Sequence, residues 1–232
     1  MKLSVIIPVY NEEMTIGELI DRVKRVDIGT IEMEIIVAND GSTDTSAAII
    51  ENRRLSHPDL IHAYSMPINL GKGAAIRLGL YHATGDLILI QDADLELDPN
   101  EYGALLQPIL DGKTDVVYGS RFMNSHKRKI VLRSQLANGF LTHLTNFLFG
   151  TGLTDMETAY KVFRRNALEG IRLRCVHFDF EPEITGQLAK HRQRILEVPI
   201  SYSPRRADEG KKISWVDGVE AIYTLLRVRF SE

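Results

Sequence analysis

The hexapeptide Gln91-Asp92-Ala93-Asp94-Leu95-Glu96 sets three carboxylates on alternate residues directly after the apolar run Leu87-Ile88-Leu89-Ile90. If that run is a buried strand, Asp92 and Asp94 stand together at its open carboxyl end, where they can share a hard divalent cation. Such an ion takes few protein carboxylates and fills its remaining positions with water and phosphate oxygens. Mg2+ or Mn2+ held there would neutralise the negative charge that develops on a departing diphosphate. The plainer use of the same residues is an acidic turn capping a helix that starts after Pro99. An Asp-x-Asp pair alone does not separate the two.

Its neighbours do more. Pro8-Val9-Tyr10-Asn11-Glu12 closes the first apolar run, and Asn39-Asp40-Gly41-Ser42-Thr43-Asp44 closes the second. Both loops therefore fall on the same sheet edge as Asp92 and Asp94. Asp40 could accept hydrogen bonds from a nucleobase edge with Tyr10 near the ring; equally, Asp40 and Asp44 could be a turn residue and a helix cap. Asn69-Leu70-Gly71-Lys72-Gly73-Ala74 opens a helix, its glycines allowing close approach of a ligand and Lys72 reaching phosphate. Ile76 where a third glycine belongs excludes a dinucleotide fingerprint. Met66 and Gly73 at two required positions exclude a Walker loop.

The elements that must carry these loops alternate. Leu3 to Val9, Glu34 to Ala38, Leu60 to Met66, Asp86 to Gln91 and Asp115 to Tyr118 read as strands. Thr15 to Val26 and Lys72 to Ala83 read as helices between them. Repeated strand, helix, strand implies an α/β fold with a mostly parallel central sheet flanked by helices and ligands at the strands' carboxyl ends. Beyond Arg121 lie the basic cluster His126-Lys127-Arg128-Lys129 with Arg133, a helix from Leu136 to Phe149, and a helix near Glu183 to Lys190. A strand around Ile195 to Val198 and an amphipathic closing helix from Trp215 to Phe230 complete the chain. The 136–149 helix sets Leu136, Phe140, Leu141, Leu144, Phe147 and Leu148 against Asn138, Thr142, Thr145 and Asn146. Its apolar face either meets a membrane or packs on its own sheet. Val216, Val219, Ile222, Tyr223 and Leu226 of the closing helix are expected to pack on the domain.

The whole chain, 232 residues with formal charge -3, suits one domain of residues 1–232: a nucleotide and metal half over 1–121 and an acceptor and closing-loop half over 122–232. The acidic balance argues against nucleic acid as partner. The lone Cys175 excludes an internal disulfide and fits a reducing compartment. The N-terminal apolar run is too short for a signal sequence, and no stretch approaches the ~20 apolar residues of a spanning helix. A cytoplasmic protein is expected, peripheral on the membrane if the basic cluster meets anionic lipid.

In order and content, Ser4 to Glu12, Asn39 to Asp44, Asn69 to Gly73, Asp92-Ala93-Asp94 and Gly119-Ser120-Arg121-Phe122 resemble the motifs of family 2 glycosyltransferases with the GT-A fold. Thr154 to Lys161 and Glu209 to Lys212 extend the likeness towards dolichol- or polyprenyl-phosphate sugar synthases. The resemblance implies that Pro8, Tyr10, Glu12 and Asp40 hold the nucleotide of a nucleoside-diphosphate sugar. It implies also that Asp92, Asp94 and the residue two further on arrange the metal. That third residue is often Gln in the synthases and is Glu96 here. The loop Arg205 to Lys212 resembles a segment that closes over donor and acceptor. It is one residue longer, so Arg206 with Lys212 stands beside the alternative of Arg205 with Lys211.

Family 2 enzymes invert at the anomeric carbon. A hydroxyl acceptor then needs a general base, for which Asp155 or Glu157 is a candidate; the plainer use of Asp155 is to cap the following turn. A polyprenyl phosphate acceptor is already anionic and needs cationic clamps, for which Arg121, Arg128, Arg133 and Arg206 are candidates with Lys212. Hexose transfer from a GDP- or UDP-sugar to polyprenyl phosphate is the leading expectation. Transfer to a soluble hydroxyl acceptor and a non-catalytic nucleotide-sugar-binding module are the alternatives.

Overall fold

The computed structural model describes residues 1–123, 132–204 and 215–231. The strands are β1 (Lys2–Val9), β2 (Glu32–Asn39), β3 (Ile61–Ser65), β4 (Leu87–Ile90), β5 (Val116–Ser120), β6 (Lys161–Arg164) and β7 (Ile195–Pro199). The helices are α1 (Ile16–Val23), α2 (Ser46–Ser56), α3 (Lys72–His82), α4 (Tyr102–Leu110), α5 (Leu132–Phe149), α6 (Phe180–Lys190) and α7 (Trp215–Phe230).

One sheet runs in the order β3-β2-β1-β4-β6-β5-β7. β1, β2, β3 and β4 are parallel, as are β5 and β7, and β6 is antiparallel to both neighbours. The expected mostly parallel sheet is present, and antiparallel β6 makes it mixed. Strand β6 was not read from the sequence. Alternate residues of a strand face opposite sides, and β1 shows it. Val5 and Ile7 enter a core with Ile16, Leu19 and Ile20 of α1 and Leu105 of α4. Ile6 enters the other core with Ile76 of α3, Phe180 and Ile184 of α6 and Leu225 of α7. Burial of each such side chain contributes about 1.5–3 kcal/mol, and both faces of the sheet are covered.

Helix α5 meets neither expectation whole: Leu144 and Leu148 of its apolar face pack on the core, while much of that face does not. Its polar residues turn inwards: Thr142 and Thr145 are buried, Thr142 Oγ1 accepts from Met156 N at 3.1 Å, and Asn146 holds Leu153 through both backbone groups. Leu141 is buried, but Leu136, Phe140 and Phe147 are exposed, Phe147 by 81%. Thr142 and the half-buried Asn146 find partners in the 151–156 loop, which an apolar face could not supply, and Thr145 Oγ1 donates to Leu141 O within the helix at 2.8 Å. Helix α7, packed beside α5, also departs from expectation. Val216, Val219, Tyr223 and Leu226 face outwards, while Ala221, Thr224, Leu225 and Val228 are buried. Among the described residues no helix is long and apolar enough to cross a membrane.

Candidate functional site

The antiparallel insertion of β6 assembles the site. Because Ile90 pairs with Lys161, the segment leading into β6 arrives at the edge where β4 ends. Gln91, fully buried, locks the junction: its Oε1 accepts from Tyr102 Oη and Tyr160 Oη, each at 2.8 Å. Its Nε2 donates to Asp92 O at 3.0 Å, fixing the start of the acidic turn. Leu95 then takes φ +60°, and Asp94 Oδ1 accepts from Glu96 N at 3.1 Å. A left-handed Leu costs roughly 1–2 kcal/mol, so the turn is held by its surroundings and not by its own preference.

Lys72 Nζ lies 2.8 Å from Asp92 Oδ1 and 2.9 Å from Glu181 Oε1 on α6. Burial alone would lower the pKa of this ammonium; the two carboxylates more than reverse that and hold it above the usual lysine range. The expected cation is at the edge, already bound to a carboxylate of the Asp92/Asp94 pair. The glycines around it serve a different purpose from the one expected. At Gly71, φ +115°, a Cβ would come within 2.4 Å of Val176 O, and Gly73 N donates to His177 O at 2.8 Å. The close approach is therefore made by the 175–177 segment of the chain itself.

Asp40 is 2% exposed and is engaged on both oxygens. Leu70 N and Gly71 N each donate at 2.7 Å, and Asn69 Nδ2 at 2.9 Å. It fastens the loop that presents Lys72. Pro8 is the penultimate residue of buried β1, and Tyr10 follows the strand partly exposed. Glu12 braces the turn before α1, its Oε2 accepting from Thr15 Oγ1 at 2.9 Å and its carbonyl from Ile16 N at 2.9 Å.

On the other side of the edge, Arg121 and Asp155 form a two-pronged pair. Nε donates to Oδ2 and Nη2 to Oδ1, both at 2.7 Å, and Arg121 N adds a third bond to Oδ2 at 2.9 Å. Asp155 is wholly buried and its own N donates to Glu197 Oε1 at 2.9 Å. Both Asp155 oxygens are thus occupied in holding Arg121. Glu157 differs. Its Oε1 is buried with no hydrogen-bond partner among the described residues, and burial followed by repulsion from Glu181 pushes its pKa well above the usual carboxylate range. Buried Lys161 donates to the carbonyls of Met156 (2.9 Å) and Thr158, on either side of Glu157.

Glu96 Oε2 accepts from Tyr202 Oη at 2.8 Å, and the Tyr202 ring lies 5.3 Å from the Arg121 guanidinium carbon. Asp92 and Asp94 offer the hard oxygen donors that Mg2+ or Mn2+ requires. Glu96 is tied into the tyrosine contact, and among the described residues no three His, Cys, Asp or Glu side chains gather as a ready metal cluster. A site of one or two carboxylates completed by diphosphate and water fits that donor set. Arg128, Arg206 and Lys212 lie outside the described residues. Arg133 belongs to the first turn of α5, and its side chain also lies outside them.

Glu181, Glu197, Tyr202 and Lys161 were not singled out in the sequence. For Glu181 a signal existed: Asp179-Phe180-Glu181-Pro182-Glu183 is an acidic helix start with proline in its first turn. For Glu197 and Tyr202 the contacts lie 40 or more residues away in the chain, as between Glu197 and Asp155, whereas Lys161 binds nearby carbonyls from inside a strand too short to mark.

Comparison with known proteins agrees with this geometry. The model of the family described as Glycosyl transferase family 2 matches residues 4–172. A dolichyl-phosphate beta-glucosyltransferase of Trichomonas vaginalis is 28% identical, over 97% of this chain and 72% of that protein. The polyprenol monophosphomannose synthase of Mycolicibacterium smegmatis is 31% identical, over 89% and 79%. This chain spans about two thirds of the length of several other curated relatives that it matches. Glucosyl-3-phosphoglycerate synthase from Mycobacterium tuberculosis, solved with Mn2+, uridine diphosphate and glucosyl-3-phosphoglycerate, superposes with a TM-score of 0.68 at 23% identity. The match covers 98% of this chain and 79% of that one. At that identity the likeness speaks for the fold.

Proposed function

This chain belongs to glycosyl transferase family 2, and on that premise we propose that it moves a hexose from a nucleoside-diphosphate sugar to a polyprenyl phosphate. The observation that carries the reading is the pairing of charge along one sheet edge. Lys72 pairs with Asp92 of the Asp92/Asp94 turn, and Arg121 is held by Asp155. The first group suits a donor diphosphate and the second an anionic acceptor. The names of the relatives, which act on dolichyl phosphate or polyprenol phosphate, support the acceptor class.

In this reading Asp92 and Asp94 hold Mg2+ or Mn2+. When bound, the ion stabilises the charge on the leaving diphosphate. Tyr10 and the loop fastened by Asp40 receive the nucleotide, and Lys72 shares the phosphate charge. Arg121 orients the acceptor phosphate. One of its oxygens forms the new bond to the anomeric carbon from the face opposite the diphosphate, whose oxygen leaves with the electron pair. Configuration inverts, and no carboxylate need remove a proton from an anionic nucleophile.

Arg128, Arg133, Arg206 and Lys212 are proposed to complete the clamp. The outward apolar stripes of α5 and α7 are proposed to rest on the membrane that holds the lipid, on its cytoplasmic side. Such stripes add apolar burial at an interface, and nearby basic residues add about 1 kcal/mol each on anionic lipid.

The test is direct. GDP-mannose and UDP-glucose are offered with a polyprenyl phosphate or an alkyl glycoside, with Mg2+, Mn2+ or EDTA. Metal-dependent transfer to the polyprenyl phosphate is expected. Transfer only to the glycoside would replace the acceptor class, and donor binding with neither transfer nor slow donor hydrolysis would leave a binding module.

A further inference from the structure

We propose that Glu157 binds the acceptor phosphate as a neutral carboxylic acid, donating a hydrogen bond to one of its oxygens. The inference rests on the phosphate-acceptor reading above and deepens it. Glu157 lies in the segment between Asp155 and β6, brought to the site edge by the pairing of Lys161 with Ile90. The residue is partly exposed, while its Oε1 is buried without a partner among the described residues. Buried polar atoms are nearly always satisfied, so an orphan at the site edge points to a group supplied from outside.

The surroundings settle which protonation state is useful. The charged groups near Glu157 come from every neighbouring element: Glu181 of α6, Lys161 of β6, Arg121 after β5 and Asp155 on its own segment. The nearby cations are largely engaged elsewhere. Arg121 is paired to Asp155, and Lys72 to Asp92 and Glu181. Lys161 donates to the Met156 and Thr158 carbonyls and lies 4.3 Å from the centre of the Tyr118 ring. Lys161 thus fixes the backbone on both sides of Glu157 without ion-pairing to its carboxylate. Burial and the two neighbouring carboxylates favour the protonated form. An arriving phosphate, carrying about -1.5 to -2 charges near neutrality, favours it further. Protonated, the carboxyl has an O–H to donate; ionised, it could only accept and would repel the ligand.

Opposite outcomes follow for an acid and for a base. Glutamine keeps the shape and a donor but cannot take up a proton. Glu157→Gln should keep transfer to polyprenyl phosphate within about threefold of wild type, whereas Glu157→Ala should raise the acceptor KM about tenfold. The wild-type acceptor KM should rise at alkaline pH as Glu157 ionises, and Glu157→Gln should lack that rise. Donor affinity and thermal unfolding, measured on both variants, should stay near wild type. Loss of transfer in Glu157→Gln with donor affinity intact, or persistence of the alkaline rise in that variant, would overturn the inference. If Glu157→Ala does not fold, the pH profile of Glu157→Gln decides alone. A wild-type enzyme that transfers to no polyprenyl phosphate would instead defeat the acceptor reading itself.

Discussion

Lys72 Nζ and Asp92 Oδ1 stand 2.8 Å apart, so the acidic pair that would receive a divalent ion carries a built-in counter-charge. Ion and donor must share Asp92 with this ammonium or displace it towards Glu181. Breaking the contact by mutation therefore touches stability and donor use together.

Lys72→Met leaves Asp92 and the nearly buried Glu181 without their cation. Removing one partner of such a pair costs about 3 kcal/mol. Thermal unfolding should show that loss, and kcat/KM for the donor should fall at least about tenfold. A variant with wild-type stability and donor use would mean that the contact contributes to neither.

Asp94→Asn tests the metal reading. The Asp94 side chain accepts from Glu96 N through Oδ1, a bond that the asparagine oxygen can keep, so the turn should persist. Transfer should drop by roughly two to three orders of magnitude, the several kcal/mol assigned to charge neutralisation at a leaving group. Near wild-type turnover with saturating Mg2+ or Mn2+ would remove Asp94 from the chemistry.

Asp155→Asn removes the anion that orients Arg121 without removing a base. Activity should fall in step with that of Arg121→Lys, and the pH profile of the residual rate should keep its shape. Loss of an acidic limb in the Asp155→Asn profile would restore Asp155 as a proton acceptor.

Glu34, on the opposite edge of the sheet, governs acid stability. Its burial would raise its pKa, but Lys2, Ser4 and Thr84 together lower it to about 2. In the unfolded chain a glutamate titrates near 4.3. The folded value is the lower one, so the stabilisation is fully present above about pH 4.3 and is lost as pH falls towards 2. Glu34→Gln should unfold more readily at pH 7 and show a shallower loss of stability between pH 4 and 2. Parallel acid-unfolding curves for the two proteins would contradict this.

The outward stripes of α5 and α7 make the membrane reading testable without disturbing the core. Phe140→Ser with Phe147→Ser changes side chains that are 59% and 81% exposed, so stability should move by less than about 0.5 kcal/mol. Sedimentation with anionic vesicles should weaken, and transfer to long-chain polyprenyl phosphate should slow while donor binding holds. Unchanged vesicle binding would assign the stripes to another partner.

Much of the site was legible because its loops follow strands with plain apolar patterns: Tyr10 after β1, Asp40 after β2, Asp92 after β4. What a side chain does at the end of such a loop was less legible. Asp40 looks the same in sequence whether it meets a base or, as here, the 69–71 backbone. The glycines beside Lys72 likewise admit a ligand or a chain segment, and only the position of Val176 decides. In α5 the periodicity was read correctly, but the apolar face is split: Leu141, Leu144 and Leu148 pack inwards and Leu136, Phe140 and Phe147 outwards. Hydrophobic pattern assumes an apolar interior, whereas Thr142 and Asn146 face a loop that needs hydrogen bonds. Short β6 carries a buried lysine, and neither length nor composition marks it as a strand.

The place of β6 in the sheet also governs how the protein can be made. β5 touches the rest of the sheet only through β6 and β7. A nascent chain ending near residue 121 can therefore build β3-β2-β1-β4 but must leave β5 undocked and the outer edge of β4 bare. The 70 residues from 91 to 160 separate β4 from its partner. At ~5–20 residues per second that interval lasts roughly 4 to 14 s. Throughout it, Leu87-Ile88-Leu89-Ile90 presents an unpaired apolar edge, the kind of strand that recruits other chains. The seam that brings the segment before β6 to the candidate site is thus also an aggregation hazard of synthesis, closed by one four-residue strand.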